Sequence, residues 1–143
     1  MKFTLVIDEG REEETVVYAK RKSELTDSIE RLVSRRAELT AYREDEIIML
    51  DPSAVHCFVL EGAHLYALLD RGRARLKMRL YELEEILGDG FIKINQSAIA
   101  NIAKIERFSV TLGTSLAVHF KNGYVDYVSR RRVKAVKERL GLR

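Results

Sequence analysis

The sequence predicts a mainly β (α+β) fold with short helices, and three observations lead to this class. From Ile47 onward, short apolar runs alternate with polar residues and are separated by turn signals, which is typical of strands joined by tight turns. Asn122-Gly123 lies between two such runs and is a strong hairpin signal. Helical spacing is confined to a few short stretches, so most of the fold is expected to consist of sheets.

Residues 1–45 are predicted to form an N-terminal arm made of a β-hairpin and a helix. Lys2 to Asp8 and Thr15 to Ala19 alternate as strands on either side of Gly10, which suits a turn. Ser23 suits the N-cap of a helix over residues 24–39. The apolar stripe of this helix consists of Leu25, Ile29, Leu32, Val33 and Leu39. We expect the arm to serve packing or dimerisation.

Residues 46–143 are predicted to form a second domain, in which strands alternate with turns. The expected strands cover residues 47–50, 55–60, 64–69, 73–79, 91–95, 103–108, 110–112, 116–120 and 124–128. Leu80 to Leu87 has the spacing of a short helix, which Gly88 and Gly90 close. Ser129 is placed to cap a last helix that ends before Gly141.

Composition excludes several classes of protein. The chain has 143 residues, 46% of them hydrophobic, and one Pro, so it is long and apolar enough to bury a core. Cys57 is the only cysteine and cannot form an intramolecular disulfide. No uncharged apolar run approaches the ~18–20 residues of a membrane span, and no signal peptide is evident. We therefore expect a cytoplasmic protein.

Motifs for catalysis and for cofactor binding are missing from the sequence. His56, Cys57, His64 and His119 lack the spacing of a metal site, and neither a hydrolytic triad nor a glycine-rich phosphate loop occurs. The carboxylates that lie close together belong to charged runs, which solvation explains. We expect no enzyme activity, no metal, no cofactor and no small-molecule substrate.

Charge is divided unevenly along the chain. Residues 91–143 hold 11 Lys and Arg against 3 Asp and Glu, whereas residues 1–90 hold 14 against 19. A positive excess concentrated in one part of a chain favours a polyanionic partner. The alternative is an ordinary basic face that only contacts solvent.

Three arginines open the last predicted helix, at Arg130, Arg131 and Arg132, and Lys134 follows them. Cations are unfavourable at this end, because the helix dipole leaves a partial positive charge there. An approaching phosphate would be held by the helix amides and the guanidinium groups together, and arginine can also pair with guanine. Solvated surface arginines are the alternative.

Hydrogen-bonding side chains gather in a second segment, at Lys93, Asn95, Gln96 and Ser97. Amide side chains can read adenine through two hydrogen bonds, so we expect contacts from Gln96 and Lys93. Alternatively, Asn95 and Ser97 bond their own backbone in a turn. Asn101 is expected to be structural.

Four basic residues and one histidine each have two possible interpretations. Arg73, Arg75, Lys77 and Arg79 alternate with apolar residues, so a strand would place them on one face. They would either follow a phosphate backbone or pair with Glu82, Glu84, Glu85 or the acidic arm. His64 either projects from a loop toward the same ligand or has no task at the start of its strand.

Two segments of the chain carry a family resemblance. FIKINQSAIANIAKI, residues 91–105, has Ser97 and Asn101 at the family's spacing, and FKNGYVDYVSRRRVKAVKERLG, residues 120–141, follows. With the strands and helix before them, they resemble the LytTR-type DNA-binding domain of bacterial transcription regulators over about residues 46–141. The resemblance implies stacked small β-sheets that present loops, rather than a recognition helix, to successive major grooves.

By this resemblance, the base contacts fall near His64, at Asn95 and Gln96, and at Arg130 and Arg131. Relatives often have His and then Arg or Lys where this chain has Asn95 and Gln96, a departure that bears on the target sequence rather than on DNA binding.

The resemblance also implies partners. Double-stranded DNA is the expected ligand of a regulator that binds as a homodimer. The chain looks like the stand-alone, response regulator-like type, because its first 46 residues are too short for a receiver domain. A membrane protein or another signalling partner would then supply the signal. A second hypothesis, from another class, is a protein-interaction or sensing module whose basic faces dock an acidic partner.

Overall fold

The structure, a computed structural model, describes residues 4–12, 14–33, 39–111, 113 and 115–142. Within these ranges the α-helices are α1 (Glu24–Val33), α2 (Leu80–Ile86) and α3 (Arg130–Leu140). The β-strands are β1 (Leu39–Arg43), β2 (Glu46–Leu50), β3 (Cys57–Glu61), β4 (His64–Leu68), β5 (Arg73–Leu76), β6 (Phe91–Asn95), β7 (Ala98–Asn101), β8 (Ile105–Thr111), β9 (Ser115–Phe120) and β10 (Val125–Val128). Pro52–Ala54 and Ile102–Lys104 form single 3-10 turns.

The strands form two antiparallel sheets. Seven strands make the larger sheet, in the order β2-β1-β5-β4-β3-β7-β6, and three make the smaller one, in the order β10-β9-β8. Two-residue turns join several of these strands, and residues 121–124, which include Asn122-Gly123, join β9 to β10, with Gly123 at a φ of 91°. The predicted mainly β fold of stacked sheets is therefore confirmed.

The larger sheet has a core on each face, and β3 shows how the sequence supplies both. Phe58 belongs to the core on the side of α2, whereas Cys57 and Val59 belong to the core shared with the smaller sheet and α3. Successive side chains of a strand point to opposite faces, so one strand serves two layers. An apolar run without polar alternation is the signature of such a strand.

The chain divides into two compact units, residues 1–36 and 37–143. In the first unit, Ser23 precedes α1 as predicted and caps it reciprocally with Thr26. The Thr26 N–H donates to Ser23 Oγ at 3.4 Å, and the Ser23 N–H donates to Thr26 Oγ1 at 2.8 Å. Two N–H groups of the helix entry are satisfied in this way.

The predicted N-terminal hairpin is wrong within the part of the chain that the structure describes. A turn forms at Gly10, whose N–H donates to Asp8 Oδ1 at 3.0 Å, but residues 4–12 and 14–22 contain no strand. Leu5, Val6 and Ile7 are largely exposed. A two-stranded hairpin without a partner layer is only marginally stable, so alternation alone does not produce strands.

Leu39 was predicted to end the first helix, but it begins β1. In the described residues α1 ends at Val33, while residues 34–38 lie outside them. Leu39 and Ala41 are buried in the core on the α2 side, and Tyr42 pairs with Arg75 of β5. Pairing with a distant strand therefore overrides helical spacing, and a strand before residue 46 belongs to the larger sheet.

The structure differs from the predicted elements in several smaller respects. The strand predicted over residues 73–79 ends at Leu76, and Arg79 is the N-cap of α2. β7 was not predicted, because its four residues are all buried and show no alternation. Two predicted strands merge into β8, and Leu112 lies outside the described residues. Ser129 is the N-cap of α3 as predicted, but its hydroxyl makes no capping bond.

Candidate nucleic-acid interface

Three segments of the chain meet at one end of the larger sheet. The Leu60 N–H donates to Ser97 O at 2.7 Å, which joins the β3–β4 turn to the β6–β7 turn. The Ser129 N–H donates to Ile94 O at 2.9 Å, which joins the start of α3 to the same place. We call this surface, formed by residues 61–64, 95–98 and 129–132, the three-turn edge. It contains seven of the nine predicted site residues, with Lys93 and Lys134 outside these ranges.

The β3–β4 turn presents His64 to solvent. Gly62 has a φ of 59° at the first central position of this two-residue turn, a conformation that favours glycine. His64 pairs with Glu61 and is exposed, and its ring lies edge-on to Tyr66 with the centroids 6.3 Å apart. The tight turn therefore sets the position of the histidine without burying it.

At the β6–β7 turn, the side chain of Asn95 makes all of its hydrogen bonds within the protein. Its Nδ2 donates to Asp126 Oδ1 at 3.1 Å and to Tyr127 O at 2.8 Å. Its Oδ1 accepts from the Ser97 N–H at 2.8 Å. These bonds match the alternative in which Asn95 organises a turn. Gln96, by contrast, is exposed, and its amide makes no hydrogen bond with any described residue.

Sequence reasoning missed the support behind Asn95. Asp126 also accepts from Tyr124 OH through Oδ2 at 2.7 Å and from the Tyr127 N–H through Oδ1 at 2.7 Å. Burial first, and then the hydrogen bond to Asp126, raise the pKa of Tyr124, so its phenol remains a donor. The only sequence signal was the period-two placement of Tyr124 and Asp126 just before the basic helix.

The start of α3 carries the predicted cations in open positions. Arg130, Arg131 and Lys134 are exposed and Arg132 is half-buried, and none of them forms an ion pair with a described residue. The first amides of a helix have no partner within it and attract anions. A phosphate at this end would therefore contact both the helix amides and unpaired guanidinium groups.

Lys93 lies apart from the three-turn edge. It pairs with Ile99, which belongs to the core on the α2 side, so both side chains lie on that face of the sheet. Its Nζ is 3.7 Å from Glu84 Oε2 of α2. Asn101 is structural, as expected, because its Nδ2 donates to Val55 O at 2.8 Å and its Oδ1 accepts from the Ala103 N–H at 3.1 Å.

Arg73, His56 and Cys57 have surroundings in the fold that the sequence did not reveal. Arg73 Nη1 lies 2.6 Å from Glu61 Oε2, rather than beside the glutamates of α2. His56 is buried, with Nε2 2.6 Å from Asp70 Oδ1, and this hydrogen bond is the main cause that lowers the pKa of Asp70. Burial raises the pKa of Cys57, which keeps its thiol protonated.

The described residues contain neither a metal-binding group nor a membrane-spanning helix. No three of their His, Cys, Asp and Glu side chains lie together as a metal-binding group. None of the helices in these residues has the length and apolar character required to cross a bilayer.

Comparison with a family model extends these observations. The model of the LytTr DNA-binding domain matches residues 45–141, which include the whole three-turn edge. Among solved structures, the LytTr DNA-binding domain of a Bacillus cereus protein superposes with a TM-score of 0.70. It shares 22% identity and covers 74% of this chain and 98% of its own. That likeness concerns the fold.

Relatives of similar length are found in Staphylococcus aureus. An uncharacterised HTH-type transcriptional regulator of strain NCTC 8325 / PS 47 is 30% identical over 146 residues, which cover 99% of both chains. Another, from strain MSSA476, is 34% identical over 104 residues and covers 73% of this chain and 71% of its own.

Proposed function

Because the chain belongs to the LytTR DNA-binding domain family and is a DNA-binding transcription regulator, we propose that its three-turn edge reads duplex DNA sequence-specifically. The observation that carries this proposal is the contrast between two neighbouring amides. The side chain of Asn95 is held by three groups of the protein, whereas Gln96 is exposed and makes no hydrogen bond with the described residues. A fixed turn that carries one free amide is suited to base recognition.

Most predicted residues receive a specific role in this proposal. Gln96 and Arg131 read base edges, since an amide can pair with adenine and a guanidinium with guanine. Asn95 positions Gln96 rather than contacting a base itself. The supporting contacts to phosphate or base come from His64, Ser97, Arg130, Arg132 and Lys134. Lys93, which lies apart from this edge beside Glu84, is given no contact in it.

The test is a selection from random duplex DNA at about 150 mM salt, followed by affinity measurements on the enriched motif. We expect Gln96→Ala and Arg131→Ala each to weaken binding by about 1–3 kcal/mol and to relax preference at one position of the motif. The outcome that contradicts the proposal is an unchanged motif and an unchanged affinity for both variants.

Arg139→Ala is the matched control for Arg131→Ala, because it removes the same side chain from the same helix. Arg139 lies eight residues further along α3, about 12 Å along the axis, and its Nη2 donates to Asp89 O at 2.6 Å. We expect this variant to keep the motif and most of the affinity. An equal loss in both variants would indicate a general effect of positive charge.

We further propose that the regulator works in the cytoplasm as a homodimer, with a membrane protein or another signalling partner as its input. A dimer that binds one side of DNA would select half-sites about 10 base pairs apart. Light scattering of the full chain with and without this duplex tests the homodimer, which a monomer mass in both states would exclude.

The second hypothesis, a module that docks an acidic protein, is not favoured, since the family is a DNA-binding one. A family of DNA-binding transcription regulators is also not a class of enzymes.

A further inference from the structure

One exposed part of the larger sheet carries a row of alternating aromatic and cationic side chains. Arg75 of β5 pairs with Tyr66 of β4 on one side and with Tyr42 of β1 on the other. Directly paired residues lie on the same face, so the three side chains form one row across the sheet. They line a cavity of about 610 Å³ together with Arg43, Glu44, Gly72, Arg73 and Lys77.

Both tyrosine rings already have cations over them. Arg73 Cζ lies 3.9 Å from the centre of the Tyr66 ring, and Lys77 Nζ lies 4.1 Å from the centre of the Tyr42 ring. These contacts hold the cations against the sheet. A base could stack on these rings only by displacing a cation, so the surface is suited to phosphates rather than to unstacked bases.

The balance of charge leaves this surface positive. Arg43, Arg73, Arg75 and Lys77 face the cavity, against the carboxylates of Glu44 and the neighbouring Glu61. Glu61 is paired with Arg73, whereas Arg75 has no ion pair or hydrogen bond to a described residue. Arg75 therefore stands between two rings with a guanidinium that is free to bind an anion. We call Tyr42, Tyr66, Arg73, Arg75 and Lys77 the tyrosine–arginine face.

The tyrosine–arginine face continues the three-turn edge. His64 of that edge pairs with Glu61, whose carboxylate binds Arg73, and its ring lies edge-on to Tyr66. Arg73 and Arg75 alternate along β5, so their Cα atoms lie ~7 Å apart, and Lys77 directly follows the end of this strand. The cations of this face therefore form a row that can contact several phosphates of one DNA strand.

We propose that the tyrosine–arginine face binds the phosphate backbone of DNA that flanks the bases read at the three-turn edge. The proposal rests on the proposed function and adds a second contact region to it. Such contacts raise affinity without adding sequence preference, because every flanking sequence presents the same phosphates.

The experiment compares the full-length wild type with Arg75→Gln/Lys77→Gln on two duplexes that carry the selected motif. One duplex ends at the motif, and the other extends it by about 10 base pairs on each side. Each lost phosphate contact lowers the slope of log affinity against log salt by about 0.9. For the longer duplex, we expect the fall in affinity between 50 and 200 mM salt to be about tenfold smaller in the variant.

Further expectations concern duplex length and motif. The wild type should bind the longer duplex more tightly than the shorter one. This difference in affinity should be lost in the variant, while the selected motif should stay the same. Arg107→Gln/Arg139→Gln is the matched control, since it removes two exposed arginines elsewhere, and it should retain the wild-type slope and advantage. Circular dichroism and thermal unfolding of both variants establish that they are folded.

The outcomes separate this proposal from the proposed function. A wild type that selects a motif and a variant with an unchanged slope and length advantage would overturn the tyrosine–arginine face alone. A wild type that selects no motif would overturn both. Inorganic pyrophosphate tests whether the ligand is a small anion. If the wild type binds pyrophosphate with micromolar affinity, the variant does not, and the salt slope for DNA is the same in both proteins, the face would be assigned to a free phosphate ligand instead.

Discussion

At the scale of the residue, two neighbouring amides of similar chemistry have different surroundings. Asn95 bonds to Asp126, Tyr127 and Ser97, while Gln96 next to it remains free of the described residues. The difference arises because Asn95 is the last residue of β6 and faces β10, whereas Gln96 lies in the turn. An amide whose hydrogen bonds are made internally fixes geometry and contributes little to readout.

Asp126 is expected to be a positioning residue, which substitution by alanine tests. Asp126→Ala leaves Tyr124 OH and one Asn95 N–H without their partner, at a cost of about 1–3 kcal/mol in the free energy of unfolding. DNA affinity should fall because the turn that carries Gln96 loosens, whereas the preferred bases should stay the same. Chemical denaturation and DNA titration measure the two effects.

Tyr124→Phe is the control for this prediction, since it removes only the hydrogen bond from the phenol to Asp126. We expect a smaller loss of stability and nearly wild-type DNA affinity. If Asp126→Ala lowers stability no more than Tyr124→Phe, then the bond between Asp126 and Asn95 contributes nothing.

Asp70 is expected to give the stability a pH dependence. The hydrogen bond from His56 lowers the pKa of Asp70 in the folded state, so its contribution is complete above the ordinary aspartate pKa of about 3.9. The contribution is lost as the pH falls through the lowered value. The difference in unfolding free energy between wild type and Asp70→Asn should thus shrink between about pH 5 and pH 2.

Asp45→Asn is the matched control, because this exposed carboxylate has no partner among the described residues. We expect its stability curve to follow that of the wild type. A difference between wild type and Asp70→Asn that stays constant down to pH 2 would contradict the role of the bond to His56.

At the scale of the element, the β3–β4 hairpin depends on one glycine. Gly62 has a φ of 59° and nothing within 4 Å of the place where a Cβ would lie. The cost of Gly62→Ala therefore comes from the backbone conformation, about 1–2 kcal/mol in the free energy of unfolding. A shift of the turn should also weaken any contact that His64 makes with DNA.

Gly88→Ala separates backbone conformation from the mere loss of a glycine. Gly88 also has open space around its Cα, but its φ is not positive. We expect this substitution to be neutral or slightly stabilising, because alanine restricts the unfolded chain. Equal unfolding midpoints for the two variants would show that the turn tolerates side chains at both places.

Element types were largely predictable, and the exceptions share one cause. The turn at Asn122-Gly123, the strand with Lys93, and the helix after Ser129 were predicted from local signals, and the structure contains them. β7 and β1 escaped prediction because each is defined by its partners in the larger sheet. Tertiary pairing decides a short buried segment whose own pattern is ambiguous.

At the scale of the whole molecule, the end of the first unit determines how the chain can be shortened. Leu39 and Ala41 of β1 are buried in the core of the larger sheet, although they precede the predicted domain start at residue 46. Deleting residues 1–36 should leave the second unit folded, while deleting residues 1–45 should lower its unfolding temperature by many degrees. Thermal unfolding of the two truncated chains measures the difference.

The same pair of chains tests the arm as a dimerisation element. If the arm joins two copies, light scattering should give a lower mass after deletion of residues 1–36 than for the full chain. An unchanged mass would show that the arm does not contribute to dimerisation. Similar unfolding temperatures for the two truncations would contradict the assignment of β1 to the core.

The amino-acid sequence by itself determined the mainly β class, the turns, the basic last third and the segments that indicate DNA binding. These features are local, since period, turn chemistry and charge are properties of consecutive residues. Only the tertiary structure decided that the Asn95 side chain is bonded within the protein while Gln96 is free of the described residues, that residues 4–12 and 14–22 contain no strand, and that Tyr42, Arg75 and Tyr66 share one row. Each of these depends on contacts between distant segments, which the hydrogen bonding and packing of the whole sheet select.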